Sequence, residues 1–203
     1  LSFFPNKIFM GNFSIFFTIF CVIILINALN FYDGINGQSC IFFMMVFLFL
    51  FLKSGMNFFY LVCILLILFI LILNLLNKLF LGDGGIFLLS IIVSISLIFE
   101  HNIQKNISYV DEIFFLLLLP GIDLLRLTIT RIYNGKNPFL GDRKHIHHLL
   151  IRKYSLINTN FILLILSIIP IFLFSLLQLN FYIVFCSFLT IYFFLILTLR
   201  FYD

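Results

Sequence analysis

From Phe13 to Tyr32 the chain runs twenty residues without a charged side chain. From Phe58 to Leu73 it runs sixteen drawn only from aliphatic, aromatic and cysteine side chains. A helix needs about 20 apolar residues to cross roughly 30 Å of hydrocarbon. Lipid cannot satisfy an open backbone, so helices are the expected solution. Composition agrees: 64% of the 203 residues are hydrophobic and 10% charged, against about 45–50% and about 25% in soluble domains. The chain is expected to be an all-α, polytopic integral membrane protein, one transmembrane domain over 1–203. Seven apolar segments are expected, near 13–32, 38–53, 57–76, 84–100, 110–133, 161–178 and 180–200. The four cysteines lie in or beside apolar runs without C-x-x-C spacing and are read as buried small hydrophobes.

Charge sets the expected direction. If the ends carrying Asp33, Asp83 and Arg143 share one side, nine of the twelve Lys and Arg lie on or nearest it. These are Lys78, Arg126, Arg131, Lys136, Arg143, Lys144, Arg152, Lys153 and Arg200, against Lys7, Lys53 and Lys105. The positive-inside rule makes that side cytoplasmic, placing Leu1 outside and Asp203 inside. The formal charge of +4 then sits mostly at the cytoplasmic face, where it favours anionic headgroups or substrates. The one long polar stretch, Asn134 to Asn160, is expected to be a substantial cytoplasmic loop.

Polar residues are costly at membrane depth and mark function. Asn27, Asn30, Asp33 and Asn36 recur every three residues in "NALNFYDGINGQ". On a helix the first three form a polar stripe. An Asp-Gly, Asn-Gly turn explains the end of that ladder but not Asn27 and Asn30. "FLGDGGIF", Phe80 to Phe87, joins the third and fourth segments. Its glycines suit either a tight turn or close approach to a ligand, and Asp83 suits Mg²⁺, which prefers oxygen donors. "PFLGDRKHIHHLL", Pro138 to Leu150, places His145, His147 and His148 just after Arg143 and Lys144. H-x-H-H lacks the spaced ligand pairs of zinc sites. Arg, Lys and His donors fit a phosphate-binding loop better, with a solvated basic loop as the plain alternative. In "PGIDLLRLTITR" a kink is expected at Pro120-Gly121, and Asp123 and Arg126 are spaced to pair. Together these clusters suggest an enzyme handling a phosphate at the membrane face.

These residues resemble the polyprenyl-phosphate N-acetylhexosamine-1-phosphate transferases of bacterial membranes. N-x-x-N-x-x-D-G is matched by Asn27, Asn30, Asp33 and Gly34, and G-D-x-G by Gly82, Asp83 and Gly85. P-x-x-D-x-x-R and P-F-x-x-D-R-x-H-x-H-H are matched by Pro120, Asp123, Arg126, Pro138, Phe139, Asp142, Arg143, His145, His147 and His148. The resemblance runs from about Gly11 to Leu150; the last two segments carry nothing distinctive. It implies transfer of N-acetylhexosamine-1-phosphate from a UDP-N-acetylhexosamine to undecaprenyl phosphate, with loss of UMP. Such transfer starts O-antigen, capsule or teichoic acid linkage units. It implies Asp33 and Asp83 as catalytic residues, Asp83 as the ligand of Mg²⁺ (or Mn²⁺), and Asn27, Asn30, Arg143, His145, His147 and His148 as substrate-binding. It implies the bacterial inner membrane, membrane lipids and no nucleic acid as partners, and admits a homodimer.

Three departures from the family pattern stand out. Asn36 replaces a second Asp, Ile86 replaces a Ser, and no Asp-Asp pair occurs. The family's acidic D-D-x-x-D segment lies upstream of the Asn ladder. The first residue is Leu1, so the chain is expected to be the C-terminal part of a longer fold. The alternative is an inactive or incomplete member that binds a polyprenyl lipid or a partner.

Overall fold

The computed structural model describes residues 11–137 and 143–200. Pro138, Phe139 and Asp142 of the histidine motif, and Lys7, lie outside them. The described residues form nine helices and no strand. These are α1 (Phe13–Tyr32), α2 (Gln38–Lys53), α3 (Phe58–Leu75), α4 (Gly82–Asn102), α5 (Val110–Leu116), α6 (Leu118–Tyr133), α7 (Ile146–Lys153), α8 (Leu156–Ser175) and α9 (Phe181–Arg200).

Helices α1, α3, α4, α8 and α9 are long and apolar enough to cross a membrane. α5 and α6 make a sixth candidate span, bent by 66°. The seven expected spans thus become five or six, because α2 is short. Its 16 residues reach only about 24 Å at 1.5 Å per residue. α2 instead fills the centre, packed against α3, α4 and α8, with Phe43, Val46, Phe47 and Leu50 fully buried. A helix apolar all round is stable where other helices surround it. α1 is different: Phe13, Phe16, Ile19, Phe20 and Ile23 stay exposed, an outer face suited to lipid. Multiple apolar helices of this kind make a multi-pass membrane protein.

The bend falls at Leu117, between α5 and α6, a turn before the expected Pro120-Gly121. Pro120 has no N–H for the Leu116 carbonyl, and its ring crowds that carbonyl, so the break appears upstream of the proline. The sixth expected segment also shifts, from 161–178 to Leu156–Ser175. Ser155 caps it by accepting a hydrogen bond from the Asn158 N–H at 3.3 Å, which draws the polar Asn158, Thr159 and Asn160 into the helix. The expected loop at 134–160 is not all loop either, since it contains α7. All four cysteines are free, but only Cys40 is buried; Cys21 and Cys186 lie on exposed helix faces, not in the core as expected.

The helix ends sort into two polar clusters. At one end Tyr60 donates to Glu100 Oε1 at 2.7 Å, Asn106 donates to Glu100 Oε2 at 2.6 Å, and Lys53 pairs with Glu112. Glu100 and Glu112, both buried, thus each have a donor, as a low-dielectric setting requires. The other end gathers Asp33, Asp83, His145, His147 and His148.

Candidate active site

The first wall is the turn between α1 and α2. α1 ends at Tyr32, and the Asp33 N–H closes it on the Leu29 carbonyl at 3.1 Å. Gly37, at φ +85°, starts α2; that left-handed conformation favours glycine. The turn is tied down from two sides. Asn36 Nδ2 donates to Asn77 Oδ1 at 2.6 Å, and the Gly37 N–H donates to Asn74 Oδ1. Asn160 Nδ2 donates to the Asn36 carbonyl at 2.8 Å. Asn36, the departure from the family pattern, therefore staples this turn to the end of α3.

Helix α1 also packs against α4, whose first turn carries Asp83. Gly82, Asp83, Gly84 and Gly85 are the first turn of α4, where a connecting turn was the simpler expectation. Asp83 is exposed there. An acidic residue at a helix N-terminus is favoured by the helix dipole, which lets a glycine-rich segment begin a helix. Burial pushes the Asp33 carboxyl above the usual carboxylate range. The Ser39 hydroxyl opposes that shift and the Asp83 charge adds to it.

The third wall is the histidine segment, held by a buried knot. Asp123 Oδ2 faces His145 Nδ1 at 2.8 Å. Asp123 Oδ1 accepts from Arg126 Nη2 at 2.7 Å and from the Tyr192 hydroxyl at 2.6 Å. The Ile146 N–H, first in α7, points at the same carboxylate at 3.3 Å. Arg126 Nη2 also donates to the Lys144 carbonyl at 2.8 Å. The expected Asp123–Arg126 pair is thus the anchor of residues 144–146. Asp123→Asn leaves the buried Arg126 uncompensated. It should cost about 3–5 kcal/mol, seen as a lowered thermal midpoint of the full-length protein in detergent.

His147 closes the site. Its ring rests against Gly34 so tightly that a Cβ built at Gly34 would fall within the imidazole. Its Nδ1 lies 3.2 Å from Gln38 Nε2, and the ring stacks on His145 at 5.4 Å. Burial, then the neighbouring His148 and His145, push His147 down from 6.5 to about 3. A depressed histidine is neutral in the fold and gains a proton on unfolding. Its contribution to stability is therefore present above 6.5 and is lost as pH falls toward about 3. Acid titration of unfolding should show this loss. His147→Asn should flatten it, and an unchanged slope would rule out His147 as its source.

The expected residues are thus distributed unevenly. Asp33, Gly34, Asp83, His145 and His147 converge. His145 and His147 are 4% and 1% exposed and lie beneath the accessible surface. Arg143 is exposed and His148 half-buried, and both keep a face to the outside. Asn27 is exposed and donates to the Ile23 carbonyl of its own helix at 2.8 Å; Asn30 is half-buried one turn nearer Asp33. Sequence reasoning missed Gln38, Asn74, Asn77, Asn160 and Tyr192, and treated the last two segments as undistinguished. The Asn residues carried a signal: amides at the ends of apolar runs. Tyr192 carried none, because it lies among aromatic residues in an apolar segment. Among the described residues, no three His, Cys, Asp or Glu side chains group as a metal cage.

Comparison with known proteins fits this geometry. The model of Glycosyl transferase family 4 matches residues 2–100, which span Asn27 to Gly85. An undecaprenyl-phosphate alpha-N-acetylglucosaminyl 1-phosphate transferase of Yersinia pestis is 30% identical over 180 residues, covering 82% of this chain and 48% of the relative. The protein of that name from Escherichia coli K12 is 32% identical over 172 residues, covering 78% and 46%. Stretches of that length necessarily include both Asp83 and the segment His145 to His148. The chain spans about half the length of these relatives. No solved structure is a significant match. The motifs, the all-helical membrane architecture and these relatives agree: the chain is similar to glycosyl transferase family 4 over residues 2–100 and to these sugar-1-phosphate transferases over most of its length.

Proposed function

We propose that the protein of which this chain is a part transfers N-acetylhexosamine-1-phosphate from a UDP-sugar to a polyprenyl phosphate such as undecaprenyl phosphate. The observation that carries this is the meeting of three distant motifs. His147 lies on Gly34, and the Asp83 charge bears on Asp33. An oxygen of the polyprenyl phosphate attacks the phosphorus bonded to the sugar. The bond from that phosphorus to the bridging oxygen breaks, and UMP leaves with the electron pair. A polyprenyl diphosphate sugar remains in the membrane. Such transfer depends on positioning and charge neutralisation more than on covalent help from the protein.

Two carboxylates and open surroundings suit Mg²⁺, which takes one or two carboxylates and completes its shell with water and phosphate oxygens. Asp83, with Asp33 near it, would hold the ion, and Mn²⁺ has the same donor preference. Bound there, the ion would neutralise diphosphate charge. Arg143 and His148 would grip the diphosphate or sugar from the accessible side. His145 and His147 would set the height of that grip, and Asn27 and Asn30 would line the approach. The excess of Lys and Arg at this end supports an active face in the cytoplasm, where UDP-sugars are made, and hence the inner membrane of a bacterium. A homodimer is compatible with this placement.

Full-length protein in membranes should exchange label between UMP and UDP-N-acetylhexosamine when polyprenyl phosphate and Mg²⁺ are supplied. Folded protein that exchanges nothing with several sugars would contradict the proposal. A second reading, a lipid-binding member without catalysis, draws on Ile86. It is fully buried and brings no hydroxyl to the first turn of α4. Retained polyprenyl phosphate binding with no exchange would favour that reading.

A further inference from the structure

We infer that Tyr192, in the last helix, is a positioning residue for the phosphate-gripping segment. The inference rests on the function proposed above. Tyr192 is fully buried and lies well beyond the residues matched by the family model. Its hydroxyl does two things at once. It donates to Asp123 Oδ1 at 2.6 Å and accepts from Arg126 Nε at 2.8 Å. Asp123 and Arg126 in turn hold the His145 ring, the Ile146 N–H and the Lys144 carbonyl. The hydroxyl is thus the third corner of a triangle that fixes three consecutive residues directly after Arg143.

The geometry gives that hydroxyl a role no apolar residue can fill. The Arg126 guanidinium and the Asp123 carboxylate each have more hydrogen-bonding capacity than the other can use. Neither finds water when 7% and 1% exposed. Without the hydroxyl, the side chains must rotate to recover a partner, and rotation releases Lys144 or His145. Arg143 would then have to be ordered at the moment the diphosphate binds. That cost falls on binding of the UDP-sugar and leaves the polyprenyl phosphate untouched.

Tyr192→Phe keeps the ring, which stacks on Phe188 at 6.0 Å, and removes only the oxygen. In full-length protein it should raise KM for the UDP-sugar about tenfold, the scale of one hydrogen bond to a charged group. It should leave KM for polyprenyl phosphate unchanged. Phe188→Leu disturbs the same packing without touching the hydroxyl and should leave both KM values unchanged. Three results would overturn the inference. One is a lower maximal rate with both KM values unaltered, another an equal KM rise in Phe188→Leu, and the third a failure of Tyr192→Phe to fold. An unaltered protein without transfer activity overturns the function on which this rests. An active one whose Tyr192→Phe variant keeps its KM overturns the positioning role alone.

Discussion

Gly34→Ala should lose sugar-1-phosphate transfer by on the order of 100-fold, the scale of a misplacement of about 1 Å in a reacting geometry. The reason is steric. A methyl group at position 34 has no space, because the His147 imidazole already occupies it. The ring cannot retreat easily. It is buried, faces Gln38 at 3.2 Å and stacks on His145. Overpacking of this kind costs about 1–3 kcal/mol, so stability should fall as well. The double variant Gly34→Ala, His147→Ala separates the two effects. It removes the obstructing ring, so much of the lost stability should return while activity stays low. Such a cycle measures the coupling between the two positions. If the two changes simply add in stability, the packing of the histidine segment on the Asp33–Gly34 turn is wrong.

Asp83→Asn should behave in the opposite way, with a large loss of activity and almost none of stability. Asp83 is exposed in the first turn of α4. Its favourable interaction with the helix dipole is worth only about 0.3–1 kcal/mol. An amide in its place keeps the shape and removes the charge that would hold Mg²⁺. Loss of one electrostatic contact to the reacting group typically costs about 100- to 1000-fold in rate. Exchange between UMP and UDP-sugar should fall by that order, with the thermal midpoint nearly unchanged. Retained exchange would remove Asp83 from the metal role and shift attention to Asp33.

Much of the fold is legible in the sequence because lipid imposes a simple rule. Long uncharged runs such as Phe13–Tyr32 and Phe58–Leu73 become helices at nearly the expected residues. What hydropathy could not supply is which apolar run faces lipid and which faces protein. α2 and α1 both read as spans, yet α2 is the buried centre and α1 stays largely exposed. The distinction comes from tertiary packing, to which composition is blind. The site shows the same division. Asp33, Asp83 and the histidines stand out because charge is rare in such a chain and polar side chains are costly beside its apolar runs. Their separate tasks do not stand out. His145 and His147 look like surface donors in the sequence but are buried in the fold. Asn36 looks like a weakened Asp but staples the turn to α3. Tyr192 is hidden because a tyrosine among aromatic residues resembles core packing until its hydroxyl is seen against Asp123.

The central claim is that this site moves a sugar together with its phosphate. The nucleotide released reports this directly. Full-length protein, supplied with UDP-N-acetylglucosamine, undecaprenyl phosphate and Mg²⁺, should release UMP and form an equal amount of undecaprenyl diphosphate sugar. Mass spectrometry of the lipid and chromatography of the nucleotide read both products. Release of UDP with a lipid monophosphate sugar would mean that the bond between sugar and phosphate is the one broken, and would contradict the account.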